Sequence, residues 1–414
     1  MKNKSKIPIK KKAIPFRILS LILTLCMLVI CVTAGTIEED EDTSYDESTS
    51  VGAMPFELDC KSAVLMEAKT GTVLCAFNET EALPPASVTK VMTLLLCMEE
   101  IASGRMKLDD TVTASAYATS MGGSQIYLKE GEQMSVEDML KSVVIASAND
   151  AAVALAEHIA GSEDAFVKRM NERAAELGMK STHFENTNGL DDTTQNHLTS
   201  ALDIAIMSRE ICKYPKIFEY SSIWMDTIRN GAFGLTNTNR LIRFYKGATG
   251  LKTGSTSKAG FCISATAERD GMTLIAVIMG APTRDVRNES AKKLFDYGFA
   301  NYSLYTSPAF EHEPLRVTGG VRNECSVYTE PFYALVSKAD AEKIEAITSL
   351  PESISAPVKA GSTVGSVSYV LNGKELGSVN VTASQDVEKI DFFEVFRRLL
   401  LRFLVIGEVK NYMS

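Results

Sequence analysis

Ser87-Val88-Thr89-Lys90 follows Pro84-Pro85 and runs into a long apolar stretch. A serine hydroxyl is a weak nucleophile until a base takes its proton. On a helix, three residues make nearly one turn, so Lys90 returns beside Ser87. Lys90 acts as that base only when neutral, and a reference pKa of ~10.4 leaves few neutral molecules at pH 7. Burial at the root of an apolar helix lowers that pKa, and so does a second cation nearby. A drop of about three units costs ~4 kcal/mol, which a packed domain can absorb. The helix N-terminus also favours negative charge developing on a bound substrate.

Two further triplets follow in the chain. Ser147-Ala148-Asn149 falls between two expected helices, where a connecting turn projects side chains into a cleft. Lys252-Thr253-Gly254 begins an expected edge strand, with Ser255, Thr256 and Gly260 beyond it. Each pattern also occurs where it reads as ordinary structure. Ser255-Thr256-Ser257-Lys258 repeats the S-x-x-K spacing without a following apolar helix. Lys69-Thr70-Gly71 reads as a hairpin turn, and Ser378-Val379-Asn380 as part of a strand. His158, His183, His197 and His312 are scattered and read as structural. Asp191, Asp192 and Asp203 read as solvated or capping acids. No C-x-x-C occurs, so neither a metal nor a cofactor is expected.

The elements that must position these residues are legible as patterns. Ala63–Ala68 and Thr72–Phe77 read as a hairpin. Residues 88–102 are apolar almost all round, which marks a helix buried on every side, ended by Gly104. Ser135 with Asp138 starts a second helix reaching about Ala146. A third runs from about Asp150 to Ala160 and stops at Gly161. Asp270-Gly271 between two β-rich runs is a hairpin signal, and residues 288–299 look helical. Strands at both ends with helices between imply an α+β fold, with helices packed on an antiparallel sheet.

The chain has 414 residues, room for two or three domains. Seven basic residues before Ala34, an apolar run over 18–32 and Val32-Thr33-Ala34 make a secretory signal over 1–34. The same run also reads as an uncleaved anchor. Residues 35–54 carry seven acids and no Lys or Arg, a disordered linker. The catalytic domain is expected over 55–306 and a small all-β domain over 307–385. In the remaining 386–414, residues 386–406 place Phe392, Phe393, Phe396, Leu399, Leu400, Phe403 and Leu404 on one helical face. Asp391, Glu394, Arg398 and Arg402 lie on the other. That pattern suits a helix lying in a membrane interface. A net charge of −9 with no basic stripe in the body of the chain argues against nucleic acid.

In their order along the chain, Ser87–Lys90, Ser147–Asn149 and Lys252–Gly254 resemble the active-site triplet of penicillin-binding proteins and β-lactamases. The longer stretches Lys252–Phe261 and Arg284–Ser290 narrow the resemblance to the low-molecular-weight penicillin-binding proteins, the serine D-alanyl-D-alanine carboxypeptidases. It covers roughly residues 56–385, and the family commonly carries a C-terminal amphipathic anchor. It implies a penicillin-binding/β-lactamase-like transpeptidase domain, then the all-β domain and the helix. It implies that Ser87 is acylated by the penultimate D-Ala carbonyl and that Lys90 takes the serine proton. Ser147 and Asn149 would relay protons and hold the substrate amide. Lys252 would supply positive charge, and Thr253, Gly254 and Ser255 would line the terminal carboxylate with help from Arg287. The oxyanion hole would be the backbone N–H groups of Ser87 and Ser255. The implied partners are peptidoglycan pentapeptide, β-lactams as covalent inhibitors and a membrane surface, for an exported protein. Ser255 departs from the His or Thr often found after K-T-G. A class A-like β-lactamase and a catalytically silent wall-binding protein are the competing readings. The first needs a glutamate for deacylation, and none between Asn149 and Lys252 stands in a recognisable loop context.

Overall fold

Alternating residues of the first strand feed two different cores, and that alternation sets the layers. In a strand, successive side chains point to opposite faces. In β1 (Ser62–Glu67), Val64 and Met66 pack into one apolar cluster, Ala63 and Leu65 into another. β2 (Val73–Phe77), β3 (Ala248–Thr256), β4 (Gly260–Arg269) and β5 (Met272–Ala281) complete an antiparallel sheet in the order β2-β1-β5-β4-β3. β5 shows the same division, with Ile275, Val277 and Met279 on one side and Leu274, Ala276 and Ile278 on the other. The computed structural model describes residues 52–411. The expected signal and most of the acidic linker lie outside the described residues.

The larger cluster holds the helices that carry the triplets. α1 (Lys90–Ala102) is buried from Lys90 to Met98, as its all-round apolarity requires. α2 (Val136–Ile145) is capped by the Ser135 side chain, which accepts from Asp138 N at 3.1 Å. α3 (Asn149–Ala160) ends at Gly161 in the left-handed region. α4 (Glu163–Glu176) and α5 (Ala201–Cys212) pack around them. α6 (Arg284–Asn301) covers the opposite face through Ala291, Leu294, Phe295 and Phe299. It starts at 284 rather than 288 because the Thr283 hydroxyl accepts from Val286 N at 3.1 Å and caps it there. Arg269 pairs with Met272 across Asp270-Gly271, both with positive φ, the backbone that a two-residue hairpin needs.

Beyond α6 the chain is β-rich. Tyr302–Ser307 pairs with Phe332–Ser337 rather than with the main sheet, so the change in architecture begins at Tyr302. A five-stranded sheet, centred on Lys374–Ala383 and Thr363–Leu371, packs Val367, Tyr369 and Val381 into its own core. The β layer also extends past residue 385. Val387 is fully buried and bridges Val358, and Ile390 N donates to Gly319 O. The amphipathic helix α7 (Phe392–Asn411) therefore starts later than 386, where Asp391 Oδ1 accepts from Glu394 N at 2.7 Å. Phe392, Phe393, Phe396, Phe403 and Leu404 are exposed on it, and Arg398 donates to Val321 O. No described helix is long and apolar enough to cross a membrane.

Candidate active site

Ser87 sits in a short 3-10 turn, Ala86–Thr89, immediately before α1. Ala86 holds φ of +48°, which is uncommon for a residue with a side chain. The turn is braced from below. Thr89 Oγ1 donates to Ala86 O at 2.8 Å and meets His197 Nε2 at 2.8 Å. His197 Nδ1 accepts from Glu185 N, so its proton sits on Nε2. Burial pushes the His197 pKa down to about 4 and keeps the ring neutral. From the other side Gly189 presses on Ala86, and a Cβ at Gly189 would lie 1.9 Å from Ala86 O.

Lys90 is fully buried. Its Nζ lies 3.0 Å from Ser87 Oγ, 2.6 Å from Asn149 Oδ1 and 2.7 Å from Asn188 O. A neutral amine has two N–H groups and one lone pair. It can donate to Asn149 and Asn188 and accept from the Ser87 hydroxyl, with nothing left over. Burial holds its pKa well below the usual lysine range, and Lys252 nearby adds to the effect. Asp150, also buried, opposes it in part. The Asp150 carboxylate is spent on the backbone, accepting from Ile126 N and Leu128 N and so fixing that loop beside the site.

Ser147 has φ of +63° and is 4 % exposed. Its hydroxyl makes no hydrogen bond to protein among the described residues and faces the same cleft as Ser87. Both ends of the Asn149 amide are occupied, because Nδ2 donates to Gly122 O at 2.6 Å. Asn149 thus positions Lys90 rather than presenting a free amide to the cleft.

The third triplet crosses the site on β3, an edge strand. Gly254 is the contact point. A Cβ there would lie 2.8 Å from Pro85 O and from Ser87 N, and 2.9 Å from Val88 N. Only glycine lets the strand come this close to the serine backbone. Thr253, Gly254 and Ser255 line the cleft, and Thr253 Oγ1 donates to Thr238 Oγ1. Lys252, expected to supply positive charge, lies deeper than the cleft wall. It is 1 % exposed, and Nζ donates to Thr253 O at 2.8 Å. Side chains alternate along a strand, so Lys252 shares the inward face with Gly254. Burial, with Arg287 beside it, lowers its pKa to about 7.

Arg287 is buried and also lines the cleft. It donates to Asn288 Oδ1 through Nε and Nη2, and to Cys262 O on β4. Burial and the nearby Arg284 and Arg240 lower its pKa to about 10. The cleft encloses about 670 Å³. Trp224, Asn237, Arg240, Phe244 and Arg284 are further lining residues that sequence reasoning missed. No aspartate or glutamate lines it among the described residues.

The other copies of the motifs have structural partners. In the β1–β2 turn the Glu67 carboxylate accepts from Lys69 N and Thr70 N, and Lys69 Nζ lies 4.6 Å from the Tyr333 ring. Lys258 Nζ donates to Asp191 O, and Thr256 Oγ1 to Asp191 Oδ2. Asp191, read as a solvated or capping acid, is in fact buried and ties the 186–191 loop to β3. That loop also supplies Asn188 O to Lys90. Its Asn186-Thr187-Asn188-Gly189 run is a turn signal that could have drawn attention to it.

The chain is similar to known proteins over most of its length. Residues 48–283 match the D-alanyl-D-alanine carboxypeptidase family model, and residues 312–389 match the C-terminal domain of penicillin-binding protein 5. The chain is 41 % identical to D-alanyl-D-alanine carboxypeptidase DacF of Bacillus subtilis, over 83 % of this chain and 89 % of that one. It is 32 % identical to DacC of Escherichia coli, over 84 % and 89 %. Penicillin binding protein 5 from Haemophilus influenzae superposes with a TM-score of 0.70 at 32 % identity, covering 82 % of this chain and all of that one. Ampicillin-bound penicillin-binding protein D2 from Listeria monocytogenes superposes with a TM-score of 0.55 at 30 % identity, covering 59 % of this chain and all of that one.

Proposed function

The chain belongs to the D-alanyl-D-alanine carboxypeptidase family, and from that premise we propose that it removes the terminal D-alanine of peptidoglycan pentapeptides through an acyl-enzyme on Ser87. The observation that carries this is the 3.0 Å approach of a fully buried Lys90 Nζ to Ser87 Oγ. Lys90 takes the serine proton as Oγ attacks the penultimate D-Ala carbonyl. The Ser87 and Ser255 N–H groups receive the oxyanion. In support, Gly254 brings the strand against Ser87 N. The C–N bond breaks and the leaving amine takes the proton, relayed by Ser147. Its unpartnered hydroxyl in the cleft supports that role. Water then adds to the ester, and Lys90 returns a proton to Ser87 Oγ.

In this reading Thr253, Gly254 and Ser255 receive the substrate carboxylate, and Lys252 and Arg287 supply charge behind them. Lys252 also keeps Lys90 unprotonated. The expected division into a catalytic part over 55–306 and a β-rich part over 307–385 shifts to a boundary near Tyr302 and an end near Ile390, and two separate family models support a division of this kind. Members of the family act on peptidoglycan outside the cytoplasm, and the signal-like residues 1–34 suit export to the outer face of the membrane. The exposed apolar face of α7 supports peripheral membrane attachment. β-Lactams would acylate Ser87 as substrate mimics.

Among the described residues no carboxylate lines the cleft to drive rapid deacylation, which favours a carboxypeptidase over a β-lactamase of the glutamate-dependent type. The test compares release of D-alanine from an N-acetylated peptide ending in D-Ala-D-Ala with hydrolysis of penicillin. Peptide turnover with slow penicillin release is expected. Fast penicillin hydrolysis without D-alanine release would reverse the assignment, and neither activity would leave a silent binding protein.

A further inference from the structure

Lys90 Nζ donates to the backbone carbonyl of Asn188, and that carbonyl decides where the amine lone pair points. A neutral amine has two N–H groups. One goes to Asn149 Oδ1 at 2.6 Å and the other to Asn188 O at 2.7 Å, which leaves the lone pair for the Ser87 hydroxyl at 3.0 Å. If Asn188 O moves away, the second N–H turns to Ser87 Oγ, and the amine donates where it must accept. The residues that fix Asn188 O therefore bear on the base, although they stand outside the cleft. Glu163, the first residue of α4, grips the neighbour of Asn188. Its Oε1 accepts from Thr187 N at 2.9 Å and from Thr187 Oγ1 at 2.7 Å. Its Oε2 accepts at 2.6 Å from the hydroxyl of Tyr117, on the short helix Ala116–Thr119. On the other side, Thr93 Oγ1 donates to Thr187 O at 2.6 Å. Lys90 and Thr93 are three residues apart on α1, so one face of that helix holds the successive carbonyls of Thr187 and Asn188. Thr187 is fully buried, so its N–H and hydroxyl find no water if the carboxylate is removed.

We propose that Glu163 is a positioning residue for the reaction, holding Asn188 O against Lys90 through Thr187 and so keeping the Lys90 lone pair aimed at Ser87. This rests on the acyl-enzyme reading above and deepens it. Glu163 is not among the residues that line the cleft, so it acts through Lys90 and not on substrate. It works by geometry rather than by charge. A glutamine can do the same work. Its one carbonyl oxygen takes both Thr187 donors, and its amide N–H donates to the Tyr117 hydroxyl, which then accepts. Alanine leaves both Thr187 donors unmet, and the loop that carries Asn188 O relaxes. That carbonyl favours the charged form of Lys90, so its withdrawal lowers the lysine pKa further. The groups whose charge reaches Lys90 are Lys252 on β3 and Asp150 on α3, with neutral His197 beneath the Ser87 turn. Among the described residues Glu163 bonds to Thr187 and Tyr117 and to none of these.

The test uses the full chain and penicillin, with the acylation rate followed by quenched flow and intact mass across pH. E163A should acylate about 10²-fold more slowly on the plateau, the scale of a ~1 Å misplacement. Its acidic limb, which reports loss of the Lys90 proton, should move to lower pH by about one unit, the scale of one hydrogen bond to a charged group. E163Q should recover most of the rate and return the limb to its wild-type position. T187V keeps the backbone donor and loses the hydroxyl, so it should show a smaller loss in the same direction. It serves if urea unfolding shows that E163A does not fold. Wild-type behaviour in folded E163A or in T187V would overturn the proposal. So would a slow E163A whose limb stays in place or rises, which is the mark of a merely structural role, or an E163Q as slow as E163A, which would mean that the charge acts. Those failures leave the wild-type adduct and D-alanine release intact. A wild type that forms no adduct and releases no D-alanine would overturn the acyl-enzyme reading instead.

Discussion

Gly254→Ala puts the closest contact of the site under strain. The new Cβ would sit 2.8 Å from Pro85 O, 2.8 Å from Ser87 N and 2.9 Å from Val88 N. All three atoms are backbone, so no side-chain rotation relieves the overlap. Ordinary contact needs roughly 3.4 Å or more, so β3 and the Ser87 turn must part by about half an ångström. Overpacking of this kind costs about 1–3 kcal/mol of stability. The greater effect falls on catalysis, because the same movement separates the two N–H groups assigned to the oxyanion. Loss of one such donor costs about 10²–10³ in rate, and a displacement of ~1 Å costs about 10²-fold. The variant should therefore acylate with penicillin about 10²-fold more slowly while still unfolding cooperatively. Gly234→Ala is the control, since nothing lies within 4 Å of a Cβ there and its φ is ordinary. Stopped-flow or quenched-flow acylation reads the rate, and urea unfolding reads the stability. An acylation rate within about threefold of wild type would mean that the Gly254–Ser87 contact does not set the oxyanion geometry.

Lys252→Ala should slow acylation by several kcal/mol of barrier, on the scale of an oxyanion donor; Lys69→Ala should cost at most about 1 kcal/mol of stability, from its contact with the Tyr333 ring, and leave the rate intact. Equal losses in the two folded variants would contradict the placement of the cleft. A chain ending at Asp391 should stay folded and active but lose liposome binding, whereas one ending at Ser384 forfeits buried Val387 and about 1.5–3 kcal/mol. Liposome binding retained without α7 would remove the membrane role. His197 titrates near 4 when folded and about 6.5 when unfolded, so the unfolded chain binds the extra proton between those values. Its stabilising effect is complete above pH 6.5 and is lost as pH falls toward 4, a difference of about 3 kcal/mol. Urea unfolding of wild type and His197→Asn across that range should show a steeper pH slope in the wild type; equal slopes would refute it.

The parts of the site legible in sequence are those whose spacing carries geometry. Ser87 and Lys90 are one turn apart, the Ser147–Asn149 turn joins two periodic helices, and Lys252–Gly254 sits in a β-rich run. The hairpin at Asp270-Gly271 and the cap at Ser135 follow from local chemistry, whereas the cap at Thr283 went unread and the helix it starts was expected only from 288. What stayed hidden acts through long-range contact. Asn188 meets Lys90 through a backbone carbonyl 98 residues away, which no side-chain identity announces. Asp150 looks like an ordinary first-turn acid until its contacts with Ile126 N and Leu128 N appear. Nothing local in the sequence shows that Arg240 and Arg284 line the same cleft as Arg287. The start of α7 was misplaced because Val387 and Ile390 are apolar in either setting, and only their strand-like partners decide between them.

The central claim is that Ser87 is the nucleophile and Lys90 its base. Intact-mass analysis of the protein after exposure to penicillin tests it most directly. One covalent adduct is predicted on the wild type and none on Ser87→Ala, with Lys90→Ala acylating far more slowly although Ser87 is present. An adduct of the same mass persisting on a folded Ser87→Ala variant would contradict the account.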